Sequence, residues 1–123
     1  METNTGLLLV ATANGRFPIG HVLVSLQGRQ PGAGSISHLL VLAGFRGQGV
    51  GSALMHAGHS VLHTAGLHVA ELRVEQVNVE AIRLYERLGY ARVGEAVEIW
   101  SEPAEDGTLR PVEHPSWVMQ RWL

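Results

Sequence analysis

Residues 44–55 read GFRGQGVGSALM: four glycines within eight residues, running directly into a helix-like pattern. Glycine is costly wherever the chain must be ordered, so this density needs a reason. The run follows an apolar stretch, SISHLLVLA (residues 35–43), which reads as a buried strand. Strand, bare loop and helix in direct succession form a unit that can present unpaired backbone N–H groups to an anion. Three phosphate-holding designs use such a unit, and the rest of the chain has to choose between them.

The flanking pattern sets the fold class. GLLLVATANGRFPIGHVLVSLQG (residues 6–28) reads as two strands around an Asn-Gly turn. Residues 50–65 carry helical spacing, with Leu54, Val61 and Ala65 on one face and Gly66 as a stop. HVAELRVEQ is a fourth strand. NVEAIRLYERLGY is a second helix, with Asn78 as N-cap and Ala81, Leu84, Tyr85 and Leu88 as its apolar stripe. ARVGEAVEIW and SWVMQRWL are two more strands, joined by residues 101–115, read as a loop. The order β-β-β-α-β-α-β-β predicts an α/β chain of the α+β type, a mixed and mainly antiparallel sheet with one central β-α-β unit. At 123 residues this is one domain, 1–123.

Composition removes several functions. There is no cysteine, hence no disulfide framework and no thiolate nucleophile, and no lysine, hence no Schiff base. The nine arginines are scattered and the formal net charge is −2, which argues against a nucleic-acid surface. No apolar run approaches the ~20 residues that cross a bilayer, and no basic segment precedes the first apolar run, so a cytoplasmic protein without membrane contact is expected. His56, His59 and His63 fall on one helical face, opposite Leu54, Val61 and Ala65. A solvated face is the simpler reading, and no metal is expected.

Two phosphate designs then fail. A P-loop needs Lys after its second glycine, and Val50 and Gly51 follow Gly49. A dinucleotide fingerprint is met at Gly47 and Gly49 but has Ser52 at its third position, and it opens a repeated parallel sheet that the leading hairpin contradicts. The third design fits. Arg46-Gly47-Gln48-Gly49-Val50-Gly51 resembles the (Q/R)-x-x-G-x-(G/A) motif of the GCN5-related N-acetyltransferase (GNAT) family, and residues 78–90 resemble its second signature, an Asn, a helix bearing a Tyr and a terminal Gly-aromatic pair.

That resemblance implies an acyl-CoA N-acyltransferase-like fold and a soluble acyl-CoA-dependent N-acyltransferase, most simply one moving acetyl from acetyl-CoA to an amine by direct attack in a ternary complex. Arg46, Gly47, Gln48, Gly49, Val50 and Gly51 would hold the pyrophosphate. The main chain of Leu40 and Val41 would line the pantetheine arm. Asn78 would contact the cofactor, and Tyr85 would be both a cofactor neighbour and the general acid for the departing thiolate. Many relatives carry a Glu five residues before the Asn, where this chain has Arg73. Glu75, acting through water, is the candidate base, alongside Glu71, Ser35 and Ser37 as less favoured positions. Only METNT precedes Gly6, so the strand and two helices usual at the front of the family are missing, and a homodimer or a partner chain covering that side is expected. The alternatives are a catalytically degenerate CoA-binding or protein-interaction module, and the same scaffold turned to other small-metabolite chemistry.

Overall fold

The computed structural model describes residues 6–123. Its elements are β1 (Gly6–Ala13), β2 (Phe17–Ser25), β3 (Ala33–Val41), a one-turn 3-10 segment at Ala43–Phe45, α1 (Val50–Thr64), β4 (Val69–Glu75), α2 (Val79–Arg87), β5 (Ala91–Pro103) and β6 (Leu109–Trp122). The six strands are ordered β1-β2-β3-β4-β6-β5 in one sheet, mostly antiparallel, which is the expected mixed architecture. The chain resolves into two compact units, one running to Leu72 with Gln120–Leu123 added, the other Arg73–Met119.

In the first unit, Asn14 and Gly15 both adopt positive φ (54° and 68°), the conformation a two-residue hairpin needs to match strand twist. β2 pairs antiparallel with β3, and β3 pairs in parallel with β4 over Ala33↔Val69, Gly34↔Ala70 and Ser35↔Glu71. The β2/β3 register slips between His21 and Leu23, so that His38 and Leu39 oppose the single residue Val22, and His38 takes φ 54°. This is a β-bulge, a device that bends a strand and re-aims its backbone.

Helix α1 lies on the sheet along a face different from the expected one. Its buried residues are Leu54, Met55, Gly58, His59 and Leu62, whereas Val61 is half-buried and Ala65 exposed. Gly58 explains the rotation: a Cβ there would sit 3.2 Å from Ile36 Cδ1 and 3.3 Å from Val24 Cγ2, so the bare backbone is what lets the helix approach β2 and β3. His59, expected on a solvated face, is thereby only 7% exposed. Desolvation, with the positive charges of Arg121 and His56 adding to it, lowers its pKa from 6.5 to about 4.

In the second unit the strands of the last hairpin are longer than the sequence pattern suggests. Residues 101–103 and 109–115, read as loop, are strand, and only residues 104–108 turn. Asp106 Oδ1 accepts from the Thr108 backbone N–H (3.0 Å) and hydroxyl (2.6 Å), which closes the turn and holds the Asp106 carboxyl below its ordinary pKa. The acidic residues and prolines of this segment resemble loop composition, but cross-strand pairing overrides that weak propensity. On α2 the buried residues are Ile82 and Tyr85, while Ala81, Leu84 and Leu88 are half-buried.

Candidate functional site

The glycine run becomes an open helix N-terminus. Gly47 and Gly49 have φ of 75° and 82°, and Gly49 is the N-cap of α1. A β-carbon at either position would meet nothing within 4 Å, so these glycines are required by backbone conformation and leave the surrounding space clear. The first helical bond runs from the Ala53 N–H to the Gly49 carbonyl at 3.0 Å, which leaves the N–H groups of Val50, Gly51 and Ser52 without intrahelical acceptors. No side chain caps them, and the first turn carries no acidic residue. The positive end of the helix dipole is therefore uncompensated, as an anion site requires.

Two side chains brace the loop. Arg46 Nε donates to the Val41 carbonyl at 3.0 Å, so the guanidinium is anchored to the end of β3 with its terminal nitrogens left for an anion. Gln48 Nε2 donates to the Gly44 carbonyl at 3.4 Å. Both residues are exposed. Leu40 (46% exposed) and the half-buried Val41 end β3, pairing with His21 and Gly20 of β2. These residues fit a diphosphate followed by an extended amide-bearing arm: bare N–H groups and an arginine for the first, strand backbone for the second.

In the Arg73–Met119 unit, Asn78 is the N-cap of α2, its Oδ1 accepting the Ala81 N–H at 3.3 Å. That bond uses the carbonyl end of the side chain and leaves its NH₂ group for a ligand. Tyr85 sits about two turns on, 9% exposed, with its ring edge-on to Tyr90 at a centroid distance of 5.9 Å. Burial raises the Tyr85 phenol pKa above 10, so it is a proton donor throughout the neutral range. Among the described residues its hydroxyl has no hydrogen-bond partner, so its proton is uncommitted.

The candidates for the base separate clearly. Glu71 is buried and accepts from Gln120 Nε2 at 2.7 Å, so it is committed to the sheet. Arg73 pairs with Glu98 at 3.3 Å. The Ser35 hydroxyl donates to the Gln27 carbonyl, and Ser37 contacts His38 Nδ1. Glu75 is 38% exposed at its side chain and meets His114 Nδ1 at 3.2 Å. Trp100 and Glu102 in turn contact His114, a grouping that sequence pattern did not expose because His114 falls in the stretch read as loop. Among the described residues no group of three or more His, Asp or Glu is placed to hold a metal ion.

A family model described as Acetyltransferase (GNAT) family matches residues 1–90. Nourseothricin acetyltransferase is similar with a TM-score of 0.78 and 27% identity, over 96% of this chain and 65% of that one. Ard1 from Thermoplasma volcanium is similar with a TM-score of 0.71 and 28% identity, over 93% and 68%. A GCN5-related N-acetyltransferase from Kribbella flavida, at 24% identity, shares the fold with a TM-score of 0.75 over 100% and 71%. The chain thus spans about two thirds of the length of these structures. Among curated proteins none matches it significantly. With nearly three quarters of its length matched by the family model, the chain belongs to the acetyltransferase (GNAT) family of N-acetyltransferase enzymes.

Proposed function

We propose that the protein transfers an acetyl group from acetyl-CoA to an amine by direct attack in a ternary complex. The observation that carries this reading is the uncapped, acid-free N-terminus of α1 behind two left-handed glycines. Arg46, Gly47, Gln48, Gly49, Val50 and Gly51 bind the pyrophosphate. The backbone of Leu40 and Val41 aligns the pantetheine arm, and Asn78 contacts the cofactor through its free NH₂ group. An acceptor amine near pKa 10 arrives protonated. Glu75, directly or through a water, takes that proton. The amine nitrogen then bonds to the thioester carbonyl carbon, the C–S bond breaks, the sulfur takes the Tyr85 proton, and the surplus proton of the new amide nitrogen returns to the Tyr85 oxygen. The chain acts as a single catalytic domain.

The acceptor is an amine of small or peptide origin, and Glu95, Glu98 and Glu102 on β5 favour a cationic one. Among the described residues no helix is long and apolar enough to cross a membrane, and we place the activity in the cytoplasm without nucleic-acid or membrane partners. A homodimer is supported by β1, which ends the strand order and leaves Leu7, Leu8 and Val10 about half exposed.

A thiol-release assay with acetyl-CoA over an amine panel tests the reading. Turnover on any amine supports it; cofactor binding without turnover on the whole panel favours a CoA-binding module.

A further inference from the structure

His114 on β6 is held on three sides. Its Nδ1 meets Glu75 Oε2 of β4 at 3.2 Å. Its Nε2 lies 2.9 Å from Glu102 Oε1 of β5, an ion-pair distance without hydrogen-bond alignment, and this nitrogen is closed to solvent. The Trp100 ring lies flat on the imidazole, with centroids 3.3 Å apart and planes 8° from parallel, and its Nε1–H donates to the same Glu102 oxygen at 3.0 Å. The aligned hydrogen bond of the imidazole is therefore the one to Glu75. One oxygen of that carboxylate is tethered, and among the described residues the other has no partner.

We propose that His114 is a positioning residue for Glu75: its Nδ1–H fixes Oε2 and presents Oε1 to the acceptor. Trp100 and Glu102 act one step further out by locking the imidazole plane. The inference rests on Glu75 being the base. A glutamate at a strand end is otherwise free about three torsions, and proton transfer needs the accepting oxygen held in hydrogen-bond reach of the ammonium. The ammonium gives one proton to Oε1, the freed nitrogen pair attacks the thioester carbon, the C–S bond breaks with the thiolate taking the Tyr85 proton, the surplus proton of the amide nitrogen restores Tyr85, and Oε1 later releases its proton to water. His114 keeps its own proton throughout. A ring that merely stitched the hairpin would not affect the chemical step.

The test uses the full chain with acetyl-CoA and putrescine as acceptor probe. His114→Ala is expected to lower kcat roughly 10- to 100-fold, the scale of a misplaced reacting group, with acetyl-CoA affinity unchanged. His114→Asn, whose amide can put a donor where Nδ1 stood, restores most of it. His114→Ala adds nothing further in a Glu75→Gln background. A fall in Glu75→Gln with wild-type kcat in His114→Ala overturns the positioning role and leaves the base standing. A silent Glu75→Gln overturns the base assignment itself. If putrescine is not an acceptor, nitrogen-15 spectra of the imidazole decide: a proton on Nδ1 supports the proposal, and an unprotonated Nδ1 overturns it.

Discussion

Ser35 and Glu71 form the last of the three parallel rungs joining β3 to β4. Past that rung β3 runs on to Val41, and the pairs it makes there are with β2. A strand with one edge unpaired offers N–H and C=O groups to an extended ligand, as an added strand would use them. The stretch begins just before the His38 bulge and ends at Val41, whose carbonyl anchors Arg46.

Gly20 sets the position of that stretch. A Cβ at Gly20 would lie 2.8 Å from the Leu40 carbonyl oxygen and 3.2 Å from Leu54 Cδ1. Gly20→Ala therefore pushes β2, β3 and α1 apart. The expected loss is about 1–3 kcal/mol of stability, as for other overpacked sites. It should appear as a lower Tm together with weaker acetyl-CoA binding; an unchanged Tm would mean that the backbone yields freely there.

Tyr85→Phe separates acid from core. Removing the hydroxyl keeps the ring against Tyr90, so folding and cofactor affinity are expected to stay, while kcat falls roughly 10²-fold or more. Unchanged kcat would mean that water protonates the thiolate. Burial raises the phenol pKa in the folded state above that of the unfolded chain. The folded state is therefore penalised only where the unfolded phenol ionises, so the wild type loses stability above about pH 10 and Tyr85→Phe loses less.

Much of this was readable from residue order. Asn14-Gly15 gave the hairpin, and the strand, glycine run and helix gave the uncapped helix N-terminus, because each depends on local backbone chemistry. Asn78 was legible as a helix cap. The burial of His59 was not, since it follows from how closely Gly58 lets α1 approach Val24 and Ile36, a property of two distant strands. His114 was missed for a related reason. Its partners Glu75 and Glu102 lie far from it in sequence, and only the paired strands bring them to one ring.

His59 makes stability depend on pH. Its folded pKa, about 4, is below the 6.5 of an unfolded histidine, so the unfolded chain takes up a proton first as pH falls. Stability is full above about pH 6.5 and is lost on the way down to pH 4, by about 3 kcal/mol. His59→Leu should flatten that part of the denaturation profile; an unchanged slope would mean that His59 is protonated in the folded state.

Leu7, Leu8 and Val10 expose apolar surface along the β1 edge, next to an apolar groove lined by Leu7, Leu26, Val61 and Ala65. Size-exclusion chromatography with light scattering is expected to give a dimer, and Val10→Lys to shift it toward monomer. A wild-type monomer at tens of micromolar contradicts the dimer.

Titration calorimetry with acetyl-CoA tests the central claim most directly. One site per chain is predicted for the wild type, with Gly49→Ala weakened and Gly49→Val abolished, because a side chain at φ 82° both strains the cap and covers the N–H groups of Val50 and Gly51. Absence of binding by the folded wild type, or undiminished affinity in Gly49→Val, would contradict it.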